Sequence, residues 1–266
     1  MTNHHGDFIW YELITPDPDG AQAFYGPLLG WAFKAMDMPD MDYRLAGTDE
    51  GDVAGIMKTP TDAPMPPAWV GYVGVDDVDK MAASITEGGG AVHMAPSDIP
   101  GVGRMAFVAD TQGAMFYIMK GTGDGESLSF SYDKPRPGHC AWNELSTTDP
   151  DAALHFYGQR FGWVKDGDMD MGPLGTYHFL RHAGRSDGSV MGQGMIGAVM
   201  PMMPGVPMPV WTYYFRVPDI DAAVTHIGTN GGKVMMEPTE IPGGDFSMNA
   251  IDPQGAHFAL VGSRKA

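Results

Sequence analysis

Apolar and polar positions along this chain fall into four similar blocks. Each block opens with an extended run, continues at helical spacing and closes with three short strands. The first begins with the run Phe8–Thr15. Asp17 then suits a helix N-cap, and Ala21, Phe24, Tyr25, Leu28 and Leu29 recur at helical spacing. Gly30 ends that helix, and strands follow at about 31–37, 41–48 and 51–58. The second block predicts a strand at about 69–75, a helix at about 77–87 ended by three glycines, and strands near 91–96, 103–109 and 114–119. The segments Asp-Thr-Gln-Gly-Ala at 110–114 and Asp-Pro-Gln-Gly-Ala at 252–256 read as tight turns before a last strand.

The second pair of blocks repeats the first. Residues 10–31 (WYELITPDPDGAQAFYGPLLGW) and 142–163 (WNELSTTDPDAALHFYGQRFGW) are identical at 13 of 22 positions without a gap. Residues 69–118 match 211–260 in the same way, including Trp69/Trp211, Asp110/Asp252, Gln112/Gln254 and Gly113/Gly255. The offset is 132 for the first match and 142 for the second, which places about ten extra residues near 182–194. The chain therefore reads as two domains of two units each: 1–122, with units 8–60 and 68–121, and 139–266, with units 140–200 and 210–263. The stretch 123–138, rich in Gly, Ser and Pro, reads as a linker. Pro-rich stretches at 59–67 and 200–209 join the units within each domain.

Composition narrows the function. A net charge of −17 argues against nucleic-acid phosphates and anionic membrane surfaces as partners. No apolar run is long enough to span a bilayer, and the start of the chain does not read as a signal peptide. One cysteine, Cys140, excludes an internal disulfide and makes a cytoplasmic location the expectation. The 22 methionines suit irregular cores and adaptable pockets alike. No nucleophile elbow, CxxC or phosphate-binding loop is present. The three glycines at 88–90 end a helix instead of opening one.

The strand ending in T-x-D-P, the helix ending FYG-x-x-x-GW and the D-x-Q-G turn, in that order and twice, resemble the vicinal oxygen chelate superfamily. Glyoxalase I, bleomycin-resistance proteins and extradiol dioxygenases belong to it. The resemblance covers nearly the whole chain and implies an α+β fold of four βαβββ units in two glyoxalase-like half-barrel domains. Each half-barrel would curve around a small-molecule pocket. It also implies a divalent metal held by His, Gln or Glu on the first and last strands of the units. Carried over position by position, those sites hold Trp10 and Trp142 on the first strands, Val70 and Thr212 near the start of the fifth, and Tyr117 and Ala259 on the last. None is a ligand for a divalent ion, which wants three or four N or O donors. No metal and no other cofactor is expected.

Three residues remain as candidate acid–base groups. Glu12 and Glu144 lie two residues after the tryptophans, so strand alternation puts them on the same face. A carboxylate there either serves a ligand or ties the strand to its neighbours. His257 replaces Met115 of the first copy and shares a face with Ala259; the alternative is a rim or surface histidine. Trp10, Trp142, Tyr117 and Met115 are the candidate ligand-binding residues, with ordinary core packing as the alternative. His178 and Arg44 are expected to face solvent, and His4 and His5 to lie in a frayed terminus. The leading expectation is a monomeric or homodimeric protein that binds a small apolar or aromatic molecule. The alternative is a lyase, isomerase or dioxygenase-like enzyme using Glu12 or Glu144 with His257, or a metal at non-standard positions.

Overall fold

The computed structural model describes residues 3–265 apart from 38–40, 62–64, 133, 186–192 and 204. Most of the insertion expected near 182–194 thus lies outside the described residues. Four βαβββ units follow one another in chain order. The first holds β1 (Phe8–Thr15), α1 (Pro18–Leu29), β2 (Ala32–Met36), β3 (Tyr43–Thr48) and β4 (Gly51–Lys58). The second holds β5 (Ala68–Gly74), α2 (Val78–Glu87), β6 (Ala91–Ile99), β7 (Gly103–Ala109) and β8 (Met115–Gly121). In the third are β9 (Cys140–Thr147), α3 (Pro150–Phe161), β10 (Trp163–Asp170), β11 (Thr176–His182) and β12 (Met195–Pro201). The fourth has β13 (Val210–Val217), α4 (Ile220–Thr229), β14 (Lys233–Glu240), β15 (Phe246–Ile251) and β16 (His257–Gly262).

The strands form two mixed eight-stranded sheets, ordered β2-β3-β4-β1-β5-β8-β7-β6 and β10-β11-β12-β9-β13-β16-β15-β14. The protein is thus α+β, with one glyoxalase-like sheet from each half of the chain. Parallel pairs such as β1 with β4 and β9 with β12 close each unit, and the helix supplies the required crossover. Proline falls where the sheet tolerates it: Pro96 and Pro238 sit in β6 and β14, the last strands of their sheets, where no further strand needs the missing N–H. No helix among the described residues is long and apolar enough to cross a membrane.

The helix boundaries follow from local chemistry. Asp17 and Asp149 accept from the N–H groups of Gly20 and Ala152, each at 3.0 Å, and Pro18 and Pro150 start the helices. Gly30 (φ 71°) and Gly162 (φ 68°) end them in the left-handed region.

Two compact units emerge from the packing, and each takes one βαβββ unit from either half. One comprises Met1–Ile9, Gly71–Ser127 and Trp142–Trp211; the other comprises Trp10–Val70, Leu128–Ala141 and Thr212–Ala266. Inside the first, the Tyr157 hydroxyl donates to buried Asp110 (3.0 Å) and accepts from Trp211 Nε1 (3.1 Å). Inside the second, Tyr25 donates to Asp252 (3.0 Å) and accepts from Trp69 Nε1 (3.1 Å). The repeated FYG tyrosine and D-x-Q-G aspartate are therefore partners, each drawn from the opposite half. Burial pushes the Tyr25 phenol well up and, as the largest effect, raises Asp252 as well. The aspartates also close their own turns: Asp252 Oδ1 accepts from the N–H groups of Gln254, Gly255 and Ala256 at 2.8–2.9 Å.

The expected linker is an ordered strap over its later part. The Ser131 N–H donates to the Cys140 carbonyl, the Cys140 N–H donates to the Ser129 carbonyl, and Trp31 Nε1 donates to the Gly138 carbonyl at 2.7 Å. Apolar anchors such as Phe130, 4% exposed, outweigh the flexible composition. His5 is likewise not frayed. Its Nε2 donates to the Arg160 carbonyl (2.8 Å), while Nδ1 accepts from the Asp76 N–H (3.2 Å).

Candidate functional site

β9 carries Trp142 and Glu144 on one face, and both are half-buried. Trp142 Nε1 donates to the Tyr177 hydroxyl at 2.8 Å, and that hydroxyl donates to Glu144 Oε2 at 2.7 Å. A phenol between an indole N–H and a carboxylate is polarised along the chain of bonds and holds both neighbours in place. Met169, Met171, Phe179 and Met203, all partly buried, pack with Trp142 around Tyr177, Ala198 and Met200. The surroundings of Glu144's strand are thus thioethers and aromatic rings, a surface that adapts to an apolar partner.

The first copy has a related but different arrangement. Trp10 Nε1 donates to the Tyr43 hydroxyl at 3.0 Å. Glu12 is only 4% exposed, so it is far less accessible than Glu144. Glu12 pairs in register with Gly55, and Glu144 with Ala198. A Cβ at Gly55 would overlap the Tyr43 hydroxyl and come within 2.6 Å of its Cζ and 3.1 Å of Trp10 Nε1. The Tyr43 ring therefore occupies the space that the Ala198 methyl fills in the second copy.

The remaining sequence candidates are dispersed. Tyr117 is 7% exposed and stacks on Tyr72 with centroids 4.3 Å apart and planes at 16°, with Phe107 at 4.6 Å. Met115 is 37% exposed at the start of β8. His257, in the equivalent place on β16, is exposed and pairs with Ile251. Its strand falls in the same compact unit as Glu12, whereas Glu144 belongs to the other unit. Two expectations of solvent-facing side chains are corrected. His178 and Arg44 have side chains only 13% and 14% exposed, because Asp168, and Asp19 with Asp42, draw them along the surface.

The donor set does not suit a divalent ion. Val70 and Ala259 are buried apolar residues, Trp10 and Trp142 bond to tyrosines, and Tyr117 is stacked. Among the described residues, no group of three or more His, Cys, Asp or Glu is placed to hold a metal. Two cavities lie apart from these residues. One of about 190 Å³ is lined by Phe24, Asn230 and Gln254, and one of about 260 Å³ by His4, His5 and Lys120.

Sequence reasoning did not single out Tyr177, Tyr43 or the methionines of the third unit. The signal that could have found the tyrosines was their matched place after the paired tryptophans. The methionines have no such signal, since their grouping depends on how β10, β11 and β12 pair.

The sequence model of the Glyoxalase/Bleomycin resistance protein/Dioxygenase superfamily matches residues 7–118 and 136–260. The chain belongs to this superfamily. A candidate glyoxylase, CFP32, of Mycobacterium tuberculosis (strain CDC 1551 / Oshkosh) is 36% identical over 259 residues, covering 95% of this chain and 93% of that protein. The anthracycline biosynthesis protein DnrV of Streptomyces peucetius is 31% identical over 271 residues, with 96% and 93% covered. Among solved superfamily structures, the Mn(II)-bound glyoxalase from Novosphingobium aromaticivorans has a TM-score of 0.65 at 17% identity, covering 98% of this chain and 83% of that one. A 2,2',3-trihydroxybiphenyl 1,2-dioxygenase from Sphingomonas wittichii strain RW1 has 0.66 at 11%, with 98% and 91% covered. At those identities the likeness is one of fold.

Proposed function

We propose that this superfamily member binds a small, flat, apolar or aromatic molecule at the Trp142–Tyr177–Glu144 face, without the divalent metal usual in the fold. The observation that carries the reading is the half-buried Trp142, hydrogen-bonded through Tyr177 to Glu144 and framed by Met169, Met171, Phe179 and Met203. Apolar walls with a few convergent polar groups are the usual makeup of a ligand site. The name of the Streptomyces relative, carried to this chain, agrees with a flat aromatic ligand. The protein would work in the cytoplasm as a monomer or homodimer.

The test is a thermal-shift screen against flat aromatic compounds with and without a chelator. A binder at a hundred times its Kd raises stability by about 2.7 kcal/mol. The shift should survive chelation and vanish in Trp142→Ala. Stoichiometric metal in the purified protein, lost in Glu144→Gln, would sink the metal-free reading.

A second reading is favoured by the short Tyr177–Glu144 bond and by the candidate glyoxylase among the relatives. Here Glu144 moves a proton on a bound carbonyl compound and Tyr177 orients it. Glu144→Gln would then abolish turnover while ligand binding persists.

A further inference from the structure

We infer that the ligand carries a hydrogen-bond donor, a protonated amine or a hydroxyl, directed at Glu144, and that only the second copy takes it, one molecule per chain. This rests on the flat-ligand reading above and adds to it the polar group and the stoichiometry. Three observations lead here.

Glu144 is half-buried beside partly buried aromatic and thioether side chains, and its Oε2 already acts as an acceptor, taking the Tyr177 hydroxyl proton at 2.7 Å. A ligand presenting only acceptors would set lone pairs against it. A ligand presenting N⁺–H or O–H would gain a charge-assisted bond next to surfaces that also attract cations through their π faces. The net charge of −17 raises the local concentration of such a cation and disfavours an anion.

The first copy covers its carboxylate more fully. Glu12 is 4% exposed, and the Tyr43 ring is seated over Gly55, in the room that a methyl would need. In the second copy that methyl is present as Ala198, which packs with Tyr177, so Tyr177 cannot take the seat Tyr43 takes. The Gly55 and Ala198 positions thus differ by one methyl beside the paired tyrosines, and the two carboxylates differ in exposure.

The experiment is isothermal titration of the full chain, at mildly alkaline pH, with two probes of one ring skeleton. 9-Aminoacridine carries an amine and is cationic; acridine lacks the amine and is neutral. The expected result is one molecule of 9-aminoacridine per chain, bound about ten-fold tighter than acridine, the worth of one charge-assisted bond. Glu144→Gln should bring the two probes to similar affinity. Tyr43→Phe should leave both unchanged. The wild-type comparison stands even if a variant folds poorly. Equal binding of the two probes, or a preference that survives in Glu144→Gln, overturns the donor. Two equivalent sites overturn the single-copy assignment. If neither probe binds, the flat-ligand reading falls with it.

Discussion

At the scale of single residues, the strongest polar device is the Tyr–Asp–Trp set that each compact unit contains. Tyr25→Phe removes the donor to Asp252 Oδ2 and the acceptor for Trp69 Nε1, and both groups are buried. Leaving them unpaired should cost about 1–3 kcal/mol. A lower urea midpoint at unchanged slope would register it, and Tyr157→Phe should behave alike. These tyrosines and aspartates were legible as matched positions of the repeat, but their partnership was not, because it joins residues more than two hundred positions apart in one case. His182 supports a second prediction. Its Nε2 donates to the His5 carbonyl (2.9 Å), and its Nδ1 accepts from the Gly184 N–H (3.0 Å). Burial is the main reason its pKa is lowered; Asp7 at 3.8 Å opposes the shift, while Arg185 and His4 add to it. A histidine with a folded pKa below its unfolded value of about 6.5 takes up its proton more readily when unfolded. Stability should therefore fall as pH drops below about 6.5. His182→Gln should flatten the melting temperature against pH over that window.

At the scale of elements, α1 was legible almost to the residue, because its cap, its first proline and its terminal glycine each do one local job. Gly30 sits at φ 71° with open space where a Cβ would go, so its requirement is conformational. Gly30→Ala should cost about 1–2 kcal/mol, the penalty of a left-handed alanine, read as a lower thermal midpoint with the fold intact by circular dichroism. Gly55 is needed for a different reason, since an added methyl meets the Tyr43 ring. Gly55→Ala should shift Tyr43 and weaken its bond with Trp10, seen as a changed indole N–H resonance. The strap at 128–140 was the element least legible, because its Gly and Pro content describes an unconstrained chain. The bonds that fix it come from Trp31 and from the backbone of Arg216, far away in sequence. The candidate site shows the same division: Trp142 and Glu144 were found by counting along one strand, whereas Tyr177 and the methionines arrive from other strands.

At the scale of the whole molecule, 33 acidic against 16 basic side chains make self-repulsion a standing cost of the compact state. Added monovalent salt should raise the melting temperature most steeply at low ionic strength, where the Debye length shrinks from about 30 Å at 0.01 M to about 10 Å at 0.1 M. A flat or falling curve would contradict that expectation. By itself the sequence determined four βαβββ units, their order, the caps that bound the first helix and the superfamily. Each depends on neighbours a few residues apart or on a repeat visible by alignment. Only the tertiary structure decided that Tyr25 meets Asp252 and Tyr157 meets Asp110. It also decided that Glu144 remains reachable while Glu12 is covered, and that Trp142 gathers methionines around it. Those outcomes are set by side-chain volume and burial between distant segments, down to one methyl at Ala198, and two copies of one repeated pattern leave that choice open until they pack.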